Sequence, residues 1–223
     1  MTLTFLELYN ECASQPWSMF DNDAESKEDF ESAMRTSINK AASFLWSLQP
    51  WSFRFRTTTI KTKSGKANYD MPEGTIVEKS VGVGDNRYGV KYNGSFLLYE
   101  PSYELLDERE GEPETFYVDG DTLYIYPTPD DVYQINITYL ALPYALSSDD
   151  EEIYELKEDD DYIDIPERYE SMFKNCLISL AMIYVIADES DENHLGYVKQ
   201  YEDSLKVLMQ YCAYSVIGKY ISW

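Results

Sequence analysis

The chain has 223 residues, 44% of them hydrophobic, and carries 41 Asp and Glu against 18 Lys and Arg, a formal net charge of -23. A chain of this length and composition buries a real core as one domain or two small ones, so an acidic disordered tail is excluded. Its acidity repels phosphate backbones, which argues against sequence-specific grip on nucleic acid and suits a surface that stays soluble or lets DNA pass without sticking.

Three cysteines, Cys12, Cys176 and Cys212, lie far apart with no CxxC spacing, and the opening Met1-Thr2-Leu3 starts no signal peptide. Production in a reducing cytosol is the expectation. The longest apolar stretch, residues 176–186, is interrupted by Ser179 and is too short to span a bilayer, so no membrane contact is expected.

Taken in chain order, the first element is a helix. Thr4 with Glu7 spells a capping box, and Leu6, Leu8 and Tyr9 supply apolar surface. A turn follows at Gln15-Pro16. Ser26 with Asp29 is a second cap-like pair, ahead of Phe30, Met34, Ile38, Ala41 and Leu45 at three- and four-residue spacing. That amphipathic helix ends near Gln49-Pro50.

From residue 51 the period changes to two. Residues 51–60 alternate aromatic and β-branched positions, and residues 74–83, 90–99, 115–118, 123–126 and 133–140 read as further strands. Asp119-Gly120 is a hairpin signal between two of them. Residues 101–109 read as a short helix within this β region.

Residues 143–161 read as a linker, solvated and extended by the acids Asp149, Asp150, Glu151, Glu152, Glu155, Glu158, Asp159, Asp160 and Asp161. Pro166 and Glu167 then start a helix with the stripe Phe173, Leu177, Leu180 and Tyr184. After a turn at residues 189–193, a last helix carries Tyr197, Tyr201, Leu205, Leu208 and Cys212, followed past Gly218 by an apolar tail with Tyr220, Ile221 and Trp223.

The expected fold class is therefore α+β: a helical bundle from the N- and C-terminal helices with an inserted antiparallel β domain. Its parts are the N-terminal helices at 1–50, the β insertion at 51–145, the acidic linker at 146–165, the C-terminal helices at 166–215 and the tail at 216–223.

The chain is poor in the residues that chemistry needs. The single histidine, His194, reads as a surface residue at a helix start, and no GxSxG, P-loop or GxGxxG is present. Gly82 and Gly84 lack the third glycine of a dinucleotide loop. Cys and His are not paired for zinc. Asp21, Asp23 and Glu25 copy alternate positions of a calcium loop, but Ser26 and Ser32 stand where glycine and a bidentate acid belong. No catalytic, cofactor or metal site is expected. Trp46 and Trp51 read as core at a helix-to-strand junction rather than as a cleft.

Two patches remain for recognition. Arg54, Arg56, Lys61, Lys63 and Lys66 form a basic segment uninterrupted by acid, which predicts pairing with acids of the same or a neighbouring subunit, an acidic partner, or a local DNA contact. The acids Asp149, Asp150, Glu151, Glu152, Asp159, Asp160 and Asp161 form the opposite surface.

Four stretches together resemble the head-to-tail adaptor subunits of short-tailed bacteriophages. These are the tail tubular protein A and gene-4-type tail accessory factors, with the ring proteins of crAss-like phages as a further resemblance. The stretches are Thr4-Phe5-Leu6-Glu7-Leu8 with Trp46-Ser47-Leu48-Gln49-Pro50-Trp51-Ser52-Phe53-Arg54; Asn68-Tyr69-Asp70-Met71-Pro72; residues 118–130 leading to Tyr139 and Pro143; and Ile163-Asp164-Ile165-Pro166-Glu167-Arg168-Tyr169. The long acidic segment and the low basic content depart from the usual pattern.

The resemblance implies a non-enzymatic virion protein at the head-tail junction. It implies a homo-oligomeric, dodecameric ring below the portal protein, presenting its other face to a downstream tail or ring protein and passing DNA through its channel during ejection. The helices would frame the channel, and Tyr220, Ile221 and Trp223 would anchor on the portal. The alternative readings are a tail-associated glycan hydrolase and an acidic DNA-mimic binding module. The 21 tyrosines suit large protein interfaces better than a small catalytic site.

Overall fold

A computed structural model describes residues 3–15, 24–76, 78–80, 86–100, 109–186 and 191–221, with residues 24–27, 75–80, 86–88 and 212–221 described in their backbone alone. The expected turn at Pro16, the acids Asp21 and Asp23, the glycines Gly82 and Gly84, and most of the short helix at 101–109 lie outside the described residues.

The chain divides into two compact units, Met1–Phe53 with Pro143–Trp223, and Arg54–Leu142. The first arm holds β1 (Leu3–Thr4), α1 (Phe5–Ala13) and α2 (Ala24–Ser47). The inserted unit holds β2 (Phe55–Lys61), β3 (Asn68–Asp70), β4 (Gly74–Ile76), β5 (Glu78–Ser80), β6 (Asn86–Tyr88), β7 (Val90–Tyr92), β8 (Ser95–Phe96) and β9 (Leu98–Tyr99). It continues through β10 (Glu110–Gly111), β11 (Thr115–Asp119), β12 (Thr122–Tyr126), β13 (Thr128–Pro129) and β14 (Gln134–Ala141). The second arm returns with β15 (Ala145–Leu146), β16 (Glu152–Ile153), β17 (Tyr162–Ile163), α3 (Glu167–Val185) and α4 (Glu192–Ile221). The fold is α+β, with N- and C-terminal helices flanking a β region.

In the helical unit the capping box closes as spelled. The Glu7 amide donates to Thr4 Oγ1 at 3.3 Å and the Thr4 amide to Glu7 Oε2 at 3.4 Å. The apolar stripes then meet. Phe5, Leu8 and Cys12 of α1, Met34, Ile38, Ala41 and Leu45 of α2, and Phe173, Leu177 and Leu180 of α3 share one core, joined by Leu208 of α4. Each buried Leu, Ile, Phe or Met among them contributes about 1.5–3 kcal/mol by leaving water. Trp51 closes the end of α2 by donating from Nε1 to the Leu45 carbonyl at 2.6 Å, a last-turn carbonyl that also takes the long 3.4 Å bond from the Leu48 amide. Phe53 stacks on Trp51 at 5.8 Å between centroids and meets Phe173 edge-on at 5.8 Å.

Two expectations need correction here. α2 already begins at Ala24, so Ser26 lies inside the helix and not at its cap. α4 runs unbroken through Gly218 to Ile221, so residues expected as a tail from 216 continue the last helix. The helix hydrogen-bond ladder outweighs the cost of one glycine, about 1 kcal/mol.

A larger correction concerns residues 143–161, which are no extended linker. They supply β15 and β16 to a four-stranded sheet of order β1-β17-β15-β16, whose β17 follows directly after them. Leu3 pairs with Ile163, Ala145 with Ile163 on the other side, and Ala145 with Ile153. Alternating apolar residues decide this: Tyr144, Ala145, Leu156 and Ile163 are buried in the helical core. Charge density therefore loses to a few well-placed apolar side chains.

The β unit is built around β14, which has β2 along one edge and both β4 and β7 along the other. A second sheet, order β3-β12-β11-β9, contains the hairpin expected at Asp119-Gly120. Asp119 pairs with Thr122, and Gly120 takes φ 56°, a left-handed conformation open to glycine without steric cost. Its core is Tyr69, Val90, Leu97, Phe116, Leu123, Ile125, Ile135 and Ile137. Pairing is antiparallel apart from β9 on β11 and β10 on β13, which are parallel.

Candidate assembly surfaces

The basic segment does not stay together. Arg54 is buried, 6% exposed, at the end of a single 3-10 turn, and its Nε and Nη2 both donate to the Ala141 carbonyl, at 3.1 and 3.0 Å. Burial pulls its pKa below the ordinary arginine value. It pins β2 to the end of β14 and is no surface cation. Strand alternation then places Arg56 and Lys61, five residues apart, on opposite faces of β2. Lys61, Lys63 and Lys66 are exposed and meet no carboxylate among the described residues.

These three lysines ride on a braced turn. Thr62 is buried between them, with its amide on the Tyr133 carbonyl at 2.9 Å and its hydroxyl on the Asp131 carbonyl at 2.9 Å. Gly65, at φ 73°, donates its amide to the Pro129 carbonyl at 2.8 Å. The Tyr69 hydroxyl accepts the Lys63 amide at 3.1 Å and donates to the Lys66 carbonyl, and Lys66 Nζ sits 5.3 Å from the Tyr69 ring centroid.

The acidic segment also divides. Asp149, Asp150, Glu151, Glu152, Asp159 and Asp160 are exposed, but Asp161 is 3% exposed. Asp161 Oδ2 accepts the amides of Lys157 and Glu158 at 2.7 and 2.9 Å, so it holds a turn closed from inside and is not part of the acidic surface. The β15–β16 hairpin carries the first four acids. Ser147 Oγ accepts the amides of Asp149 and Glu151, Asp150 takes φ 62°, and the Tyr162 hydroxyl donates to Asp150.

Arg35 is a site the spacing of the sequence does not reveal, because its partners are remote. Its Nη2 meets Asp159 Oδ1 at 2.6 Å, its Nε meets Glu31 at 3.3 Å, and its guanidinium covers the rings of Phe5 at 4.7 Å and Tyr9 at 5.4 Å. The hydrogen bond to Asp159 is the main reason its pKa rises. Lys174 pairs with Glu11 at 2.7 Å, and Lys40 lies 4.2 Å over the Tyr184 ring. Arg35, Lys174 and Lys40 are thus engaged within the helical unit.

His194 is not on the surface. It is 9% exposed in the first turn of α4, with Nδ1 2.7 Å from the Ile186 carbonyl, where it ties that helix start to the end of α3. Cys12 and Cys176 are buried free thiols, each pushed up to about 12 by desolvation. Among the described residues no group of three or more His, Cys, Asp or Glu is arranged to hold a metal ion, and no helix is long and apolar enough to cross a membrane. The backbone of Tyr220 and Ile221 belongs to α4, while their side chains and all of Trp223 lie outside the described residues.

No curated protein matches the chain significantly. A family model does, that of the SU10 adaptor protein, across residues 4–213. The match runs from the Thr4 cap through the β insertion and well into α4, so it covers both units rather than one. The match spans the capped helical core and the inserted β unit alike, and the chain belongs to the SU10 adaptor protein family of bacteriophage structural proteins.

Proposed function

We propose that the chain is a non-catalytic head-to-tail adaptor, one copy of a ring that docks below the portal of a phage virion and passes DNA without binding it specifically. The finer kinship, with tail tubular protein A and the crAss-like ring proteins, belongs to the same reading. The observation that carries it is the C-terminal half of α4. This helix has 30 residues against 19 in α3. At 1.5 Å per residue it is longer by about 16 Å. From Ser204 onward it contains no acid, in a chain with 41 of them. Val207, Met209 and Tyr211 are exposed there, at 43%, 37% and 58%. An acid-free helix end with apolar side chains in water is a surface made for a groove on another protein. Tyr220, Ile221 and Trp223 would complete the anchor, since buried aromatics dominate interface energies.

The test is truncation after Tyr211, followed by mixing with the portal of the same phage. The shortened chain should keep the melting temperature of the full chain and lose portal binding in sedimentation and negative-stain images. Undiminished docking by the shortened chain would reject the anchor.

A further inference from the structure

We infer that the lysine turn after β2 of one copy receives the acidic β15–β16 hairpin of the next copy, a charge-matched contact that joins subunits side by side. This rests on the ring reading above and says how the ring closes.

The two surfaces complement each other in three respects. The first is charge. Residues 54–69 contain no acid, and Lys61, Lys63 and Lys66 project from them without a carboxylate partner among the described residues. The helical unit carries 26 acidic against 9 basic residues, the β unit 15 against 9. Three uncompensated lysines in so acidic a chain are best satisfied by acids from outside their own unit, and every neighbouring copy offers Asp149, Asp150, Glu151 and Glu152 on an exposed hairpin.

The second is rigidity. Both loops are braced by backbone hydrogen bonds: on one side Gly65 to Pro129 and Thr62 to Tyr133, on the other the Ser147 amide to Glu151 and the Asp150 amide to Ser147, at 2.9 and 3.0 Å. Charges held on fixed backbones lose less conformational freedom on docking than charges on mobile loops.

The third is the edge. β2 is seven residues long, lies at the edge of its sheet and is free of proline. Its charged side chains, Arg56 and Lys61, are both cations, which repel a second copy of the same edge and suit an acidic one. β16 is likewise the outer strand of its sheet, and Tyr154, just after it, is 56% exposed. A basic patch on one unit and an acidic patch on the other make the contact heterologous, head to tail, which is the kind that closes rings.

Charge exchange tests it. K61E/K63E/K66E removes the basic patch and D149K/E151K/E152K removes the acidic one, all at exposed positions, and unchanged melting curves verify folding. Sedimentation velocity at low ionic strength should show the parent chain self-associating, each variant alone weakened at least tenfold, and an equimolar mixture restored, because each variant then meets an opposite charge at both contacts. A parent that associates while either variant associates equally well overturns this contact and leaves the ring reading standing. A parent that stays monomeric at millimolar concentration and forms no ring when mixed with the portal overturns both; if it assembles only on the portal, equal assembly of either variant there overturns the contact alone. Variants that lose portal binding but keep self-association would assign the patches to the portal and overturn the inference.

Discussion

Asn39 of α2 and Leu156, 117 residues later, exchange two hydrogen bonds: Asn39 Nδ2 donates to the Leu156 carbonyl and the Leu156 amide donates to Asn39 Oδ1, both at 2.9 Å. The Tyr144 hydroxyl adds a third to Oδ1 at 2.8 Å. One amide side chain thus does for a buried loop what a neighbouring strand would do. Asn39→Ala strands three polar groups, of which a buried unpaired one costs about 1–3 kcal/mol, so the loss should reach about 3 kcal/mol. Tyr144→Phe, which removes only one bond, should cost about 1 kcal/mol. Urea denaturation of the two variants checks the order.

Asp161 and its acidic neighbours should behave oppositely. Asp161→Ala unpairs the amides of Lys157 and Glu158 in a buried turn and should cost about 2 kcal/mol. Neutralising Asp149, Glu151 and Asp160, all exposed, should change stability by no more than about 0.5 kcal/mol. Thermal melts that rank them the other way would contradict the inward carboxylate.

Arg35 combines an ion pair with ring packing, and the two are separable. Arg35→Met keeps an apolar stem over Phe5 and Tyr9, whereas Arg35→Ala loses both contributions. The alanine variant should fall by about 2 kcal/mol and the methionine variant by about half as much. Equal losses in chemical denaturation would reduce the site to its charge.

The buried thiols set an alkaline limit. Cys12 and Cys176 have native pKa values of about 12, above the ordinary thiol value of 9.0. The unfolded chain therefore gives up these protons first as pH rises. The stabilisation is complete below pH 9 and is lost between about 9 and 12, at up to about 1.4 kcal/mol per pH unit for each thiol. Denaturation midpoints should fall across that window. With Cys212→Ser removing the third thiol, the folded chain should resist a thiol reagent at pH 8 and react on unfolding.

Much of the fold was legible where periodicity was long. The stripe from Met34 to Leu45 and the one from Phe173 to Leu180 are core as the spacing predicts, and the hairpin signalled by Asp119-Gly120 forms with Gly120 and Asp121 as its two loop residues. The acidic segment misleads because charge counting weighs all nine acids alike, while the burial of Leu156 and Ile163 is decided by residues of α1 and α2 more than 100 positions earlier. Arg54 reads as one of the basic cluster for the same reason: nothing local announces the Ala141 carbonyl that takes its guanidinium. His194 reads as a surface residue because its partner, the Ile186 carbonyl, lies across a turn and not along a helix face.

The insertion has a consequence for how such a protein diversifies. Phe55 pairs with Leu140, so the segment between them leaves and re-enters through adjacent strands. These two ends stand one strand spacing apart, about 5 Å. Lengthening, shortening or replacing what lies between them leaves the course of the remaining polypeptide unaltered. The module can thus be exchanged at a single strand-pair junction.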